Sequence, residues 1–332
     1  MSSPDGSAGP DLEAVVEAAG RAPSIHNTQP WRWVARDGVL DVRADRNRQL
    51  HVADRDGHSL LISCGAALEL TELALAAQGW APEAAVLPDP ADPDLLARLR
   101  PVRQDRPDEL ALRRIEAALG RRSERRPFGP EPVAGDVVER LAEIGNGEGV
   151  YVHFPTRADE NLDLAVAISQ ADRSGRDDPA YAAEMAAWVR ADDPAHDGVP
   201  MASIPRVPAG EPRHTDIPLR DFEVGVAGGQ LITPGVDEHP QIAVILTETD
   251  GDLEQLRAGQ AMMRLMVQAE LEGIASCPLS QSVDLLAFRT RLRTLMGWTG
   301  YPQMMLRLGQ RPAEPPAPLT PRRPVSEVLT RE

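Results

Sequence analysis

The spacing of apolar residues divides the chain into elements. Over residues 11–20, DLEAVVEAAG, they recur at helical intervals; Asp11 reads as an N-cap and Gly20 as a stop, predicting a short amphipathic helix. Residues 31–45, WRWVARDGVLDVRAD, predict two strands joined at Asp37-Gly38, a hairpin signal. Residues 58–79, HSLLISCGAALELTELALAAQG, predict a long helix buried on most sides. Short strands are expected near 82–87 and 95–100, helices at 107–119 and 134–144, and a strand at 150–155. Helical segments follow at 157–172 and 178–190. The pattern then breaks over 191–222, a stretch rich in Pro and Asp. Loops of that length inside a compact domain are usually lids, binding segments or linkers. Beyond it come a buried strand at 240–248, a second long helix at 252–273, a strand running into a loop at 274–280, a helix at 283–295 and a strand at 302–309. Residues 1–10 read as a disordered tail, and the Pro-rich stretch after 310 as an extended arm.

The two long helices carry a repeated signal. Gly65 and Gly79 lie in the first, Gly259 and Gly273 at the same separation in the second, and a β-like segment follows each. This suggests an internal duplication offset by 194 residues, with two half-domains packed through their central helices. Two Ala-rich helices sharing one spacing by chance is the alternative.

Composition narrows the function classes. A net charge of −16 argues against a general binder of nucleic acid or anionic membrane, though not against a local cationic pocket. Every basic residue apart from histidine is Arg. The absence of Lys removes Schiff-base chemistry and a Walker-type phosphate loop, while Arg still grips phosphate bidentately. Cys64 and Cys277 offer neither a disulfide framework nor a zinc cluster, so no metal is expected. No unbroken apolar run reaches about 18 residues and no leader pattern opens the chain, so the expectation is a soluble, cytoplasmic protein.

Three clusters can carry chemistry. Ser24, Asn27 and Gln29 crowd amides and a hydroxyl before Trp31 and Trp33. This stretch reads either as a turn presenting hydrogen-bonding groups to a planar polar ligand or as a capped turn entering a strand. Arg121, Arg122, Ser123, Arg125 and Arg126 suit a phosphate dianion, or form a solvated basic helix end. Arg322 and Arg323, held between Pro321 and Pro324, are either fixed ligands or part of a soluble tail.

Together these motifs resemble the FMN-dependent nitroreductase superfamily. PSIHNTQPW (23–31) is similar to its Pro-Ser-x-x-Asn-x-Gln-Pro-Trp element, RRSERRPF (121–128) to its Arg-x-Ser-x-Arg/Lys phosphate element, and PRRP (321–324) to its late basic ligands. GIASCPLS (273–280) and TGYPQMMLRLGQRP (299–312) resemble the strand beneath the flavin and the closing strand. The order departs from an ordinary member, in which the Arg-x-Ser element precedes the Asn-x-Gln-Pro-Trp element within one domain. Here each half keeps one element and lacks the other, which resembles the twin-domain Acg-like branch. The resemblance implies an α+β, nitroreductase-like fold of two fused half-domains forming an intrachain pseudo-dimer. Residues 11–119 would be the N-terminal half and 120–332 the C-terminal half, with a lid at 191–222 and an arm at 310–332.

Residue roles follow from the resemblance alone. Arg121, Ser123, Arg322 and Arg323 would neutralise the FMN phosphate, and Arg125 would lie at the N1/O2 edge, where reduction gathers charge. Ser24 and Asn27 would bond ring heteroatoms from the opposite half. Pro278, Leu279 and Ser280 would line the ring. Gln29 would support the turn, Trp31 would be core, and Cys277 would pack. The flavin itself would do the redox chemistry, with no side-chain acid or nucleophile required. The activity implied is hydride transfer from NAD(P)H through FMN to a nitroaromatic, quinone or similar small acceptor. The alternatives are an FMN-sequestering protein with little turnover and a flavin-dependent dehydrogenase or oxidase. One site in a functional monomer is expected, with neither nucleic acid nor membrane as a partner.

Overall fold

A computed structural model describes residues 9–104, 106–190, 196–206, 231–232 and 238–332. Most of the tail expected at 1–10, and residues 191–195 and 207–222 of the expected lid, lie outside them.

The first half follows its apolar pattern closely. Helix α1 (Leu12–Ala19) is capped by the Asp11 carboxylate, which accepts from the amides of Glu13 and Ala14. Strands β1 (Trp31–Arg36) and β2 (Val39–Ala44) turn at Asp37 and Gly38, both at positive φ. Helix α2 (His58–Ala77) is followed by β3 (Trp80–Val86), β4 (Leu95–Arg103) and helix α3 (Glu109–Gly120).

The second half runs α4 (Gly135–Gly145), β5 (Val150–His153), α5 (Ala158–Asp177) and α6 (Pro179–Ala187). Helix α5 continues past the expected 172. Helix α6 stops before the expected 190, because Val189 and Arg190 form β6 against β7 (Val199–Pro200). A further two-residue pair joins β8 (Pro205–Arg206) to β9 (Leu231–Ile232). Then come β10 (Gln241–Thr247), α7 (Asp252–Leu271), β11 (Ile274–Leu279), α8 (Leu286–Met296) and β12 (Tyr301–Gln310). Helix α8 begins later than expected, since the amides of Val283 and Asp284 first turn back onto the Ser280 carbonyl. The arm is extended through its prolines. Directly after Pro324 it forms a short helix, α9 (Val325–Val328), and a last strand, β13 (Leu329–Arg331).

The two sheets share one topology. Chain order β1, β2, β4, β3 across the first sheet matches β5, β10, β12, β11 across the second, and every one of these pairings is antiparallel. The central helices agree residue for residue: 194 positions separate His58 from Asp252 and Ala77 from Leu271. Gly79 and Gly273 each follow their helix by two residues at positive φ, the left-handed conformation that ends a helix and starts a strand at once. Helix α3 packs on both α2 and α7, at the junction of the halves. Strand β13 crosses from the C-terminal half to extend the first sheet, parallel to β1.

Helix α2 has the length and apolarity of a membrane span, with a mean hydropathy of 1.7, but it lies largely buried against α1, α3 and α7. It is a core helix.

Candidate functional site

The turn 24–29 is a backbone feature before it is a chemical one. His26, Asn27 and Gln29 all have positive φ, at 45°, 56° and 51°. Each non-glycine residue held there costs on the order of 1–3 kcal/mol and persists only where its surroundings enforce it. The restraints are visible. Ser24 Oγ accepts from the Gln29 amide at 2.9 Å, and the Ile25 amide donates to Ser63 Oγ of α2 at 3.1 Å. Asn27 Nδ2 donates to the carbonyls of Gly198 (3.0 Å) and Pro321 (3.1 Å). Gln29 supports the turn: its Nε2 donates to the His196 carbonyl at 2.7 Å and its Oε1 accepts from the Arg323 amide at 2.8 Å. Trp31 is core, with no exposed surface.

The basic stretch after α3 runs along the outer edge of β11. Ser123 forms a parallel bridge to Ser276, and the Glu124 amide donates to the Ser276 carbonyl at 2.9 Å. Strand-like alternation then sorts the side chains. Ser123 and Arg125 face a cleft, while Arg126 is paired with Glu124 at 2.6 Å and donates to the Pro315 carbonyl.

That cleft, of about 950 Å³ including space open to solvent, is where the halves meet. Ser24, His26 and Asn27 come to it from the first half, Ser123 and Arg125 from beside β11, Pro278, Leu279 and Ser280 from β11 and its loop, and Arg322 from the arm. No equivalent surface exists on β3. The positions matching Cys277–Leu279 there are Glu83–Ala85, which are exposed to solvent.

The Nitroreductase family model matches residues 118–310, more than half of the chain. "Putative NAD(P)H nitroreductase Rv3131" of Mycobacterium tuberculosis is 34% identical over 96% of this chain and 92% of its own length. "Putative NAD(P)H nitroreductase acg" of the same organism is 33% identical over 96% of this chain and 95% of its own length. The chain belongs to the nitroreductase family. A solved nitroreductase with bound FMN from Bacteroides fragilis aligns with 62% of this chain and 91% of its own at 15% identity and a TM-score of 0.38.

In this nitroreductase-family chain one end of the cleft is strongly cationic. Arg125 and Arg322 line that end; Arg121 does not, and lies behind Arg322, with which it shares the Arg21 carbonyl. Arg121 is 4% exposed; its Nη2 donates to the Arg21 carbonyl, whereas Nε and Nη1 are buried with no partner. Burial, and then the charge of Arg21, pull its pKa down to about 10. Burial followed by Arg21, Arg121 and Arg125 also depresses Arg322 well below the usual guanidinium range. Among the described residues, neither Arg121 nor Arg322 forms an ion pair with a carboxylate. Buried like charges with unspent donors are costly until an anion arrives.

Arg322 and Arg323, both expected to neutralise the phosphate, are placed differently by the fold: Arg322 lines the cleft and Arg323 does not. All five guanidinium N–H groups of Arg322 are engaged by carbonyls, those of Gly20, Arg21, Ala22, Thr320 and Pro321, at 2.8–3.2 Å. It lines the cleft as a charge and clamps the arm. Arg323 turns toward Glu327 and Asp45. Sequence reasoning missed Ser59, Ser63 and Arg307 in the cleft wall. The serines carried a signal, two hydroxyls four residues apart at the head of an apolar helix. Arg307 carried none, because only the fold reveals its buried pairing with Glu238 at 2.6 Å.

Proposed function

We propose that the chain binds one FMN in this cleft and moves two electrons from NAD(P)H to a small acceptor such as a nitroaromatic or quinone. The observation that carries the reading is a cleft lined at one end by Ser123, Arg125 and Arg322, backed by the buried and partly unpartnered Arg121, with the β11 segment Cys277–Leu279 along its wall. A phosphate dianion suits the Ser123 hydroxyl and Arg125 in the cleft wall, with the unpartnered Nε and Nη1 of Arg121 behind them. The β11 segment Pro278–Leu279 suits a planar ring, with Asn27 facing it from the other half. The buried Asn27 Oδ1 accepts no hydrogen bond, which leaves it for a ring N–H. FMN, when bound, supplies the redox chemistry; the protein supplies binding, orientation and electrostatics. The names of the relatives agree with this activity.

Both elements of the site come from one chain, so a functional monomer with half-domains 11–119 and 120–332 belongs to the same proposal. Flavin released from pure protein should equal chain concentration, and NAD(P)H oxidation should accelerate when a nitroaromatic or quinone is added. Bound FMN without acceptor-dependent turnover would favour a flavin-holding role. The packing of Gly198 and Val199 against the turn is the feature that would then explain it. Absence of flavin after reconstitution would remove the proposal.

A further inference from the structure

We infer that His26 donates the proton that a neutral acceptor must gain along with its electrons. The inference rests on the FMN reading above and adds to it an acid that the flavin chemistry does not itself supply. In the net reaction NAD(P)H gives up a hydride, and a quinone gains that hydride's two electrons together with two hydrogens, one of them arriving as a proton. That proton leaves an imidazolium N–H of His26 and forms an O–H bond on the acceptor. Solvent returns it to the imidazole between turnovers.

Elimination within the cleft wall points to this residue. The arginines keep their protons near neutral pH, and serine hydroxyls are too weak as acids. Cys277 also lines the cleft, but a thiol, ordinarily near 8.5, is a weaker acid than an imidazolium. Histidine is the side chain whose ordinary pKa matches the task. Among the described residues lining the cleft, His26 is the only one.

Its setting supports the role. His26 is 7% exposed, so the residue is largely shielded from bulk water while it still lines the cleft. Residues 196–199 lie against this turn, with the His196 and Gly198 carbonyls tied to Gln29 and Asn27. The left-handed backbone at His26 is enforced by its hydrogen-bonded neighbours, which fixes where the ring can lie.

The test uses the full chain loaded with FMN. His26→Gln should slow reoxidation of the reduced protein by a quinone roughly 10²-fold, the scale of general acid catalysis. FMN affinity and the rate of reduction by NAD(P)H should stay within about twofold, and His51→Gln, at an exposed histidine outside the cleft, should leave all three unchanged. His26→Asn, whose side chain tolerates positive φ, is the second variant should the Gln form fold poorly. A readout independent of turnover is ring ¹⁵N NMR of the oxidised holoprotein: phenol, a redox-inert mimic of the reduced quinone, should shift the His26 resonances. Wild-type reoxidation by folded, FMN-loaded His26 variants, or His26 resonances that ignore phenol, would overturn the assignment while the FMN reading stands. A chain that takes up no FMN would overturn both.

Discussion

Gly65 and Gly259 are each met by a backbone carbonyl of the other's helix: Leu256 O lies where a Cβ on Gly65 would stand, and Ile62 O where one on Gly259 would stand. Each carbonyl belongs to the residue three before the opposite glycine. The contact is therefore isologous, as between two copies related by a two-fold axis. Backbone cannot swing aside as a side-chain tip can. Gly65→Ala or Gly259→Ala should destabilise the fold by about 1–3 kcal/mol or more, the cost of overpacking. Gly135→Ala, at the open start of α4 with no neighbour near its Cβ position, should change stability by no more than about 0.5 kcal/mol. Urea unfolding of the three variants checks this; equal effects would mean the helices do not cross so closely.

Arg121 and Arg126 separate a pocket from a basic surface. Removing the Arg121 side chain should weaken FMN binding by roughly 1.5–3 kcal/mol, the range for a charge-assisted bond. Ser24→Ala should cost about 1 kcal/mol, as one neutral bond. Arg126→Ala should do little to affinity, because its guanidinium is occupied by Glu124. Fluorescence titration of the apoprotein with FMN distinguishes the three; uniform losses would contradict a built phosphate site.

Arg322 should matter to the arm as much as to the ligand. With its five N–H groups gone, Arg322→Ala should free residues 311–324 and loosen β13 from β1. The expected result is faster amide exchange at 329–331 and at least tenfold faster proteolysis within the arm, in the ligand-free protein. Arg331→Ala, whose bond to Glu13 is exposed, should leave both near wild type.

Glu72 gives the helix interface a pH dependence. Burial, and then the neighbouring Glu69, push its carboxyl up to about 7 from an ordinary 4.5, against the opposing pull of Arg264 and Gln260. Between those values the unfolded chain has released this proton while the folded chain still holds it. Glu72 therefore lowers stability as pH rises through that window. Glu72→Gln should have little effect on this term below about pH 4.5 and should stabilise the protein progressively up to about pH 7. Urea unfolding at pH 5 and pH 8 would show the larger gain at pH 8; a gain independent of pH would reject the account.

Much of this protein was legible along the chain because its signals are local. Apolar spacing marks α2 and α7, Asp37-Gly38 marks the hairpin, and Asp11 marks a helix start; each depends on residues a few positions apart. The repeated glycines 65/79 and 259/273 told more, because close helix crossing and a left-handed helix end both need glycine and nothing else serves as well. The candidate site was legible as motifs, since phosphate needs clustered arginine and a polar turn needs side-chain oxygens and amides near in sequence.

Only tertiary structure decided how those residues were used. Arg121, Arg126 and Arg322 are chemically alike in the sequence. In the fold, one keeps buried unspent donors, one is neutralised by Glu124, and one is saturated by five carbonyls from segments some 300 residues apart. Guanidinium reach and partner supply are set by three-dimensional proximity, which residue identity does not encode. The same holds for β13. Its sequence shows a short segment after the last proline, and it became a strand because β1 offered an unpaired edge on the other half. Local propensity could specify the elements; long-range packing alone could specify which partner each buried polar group would meet.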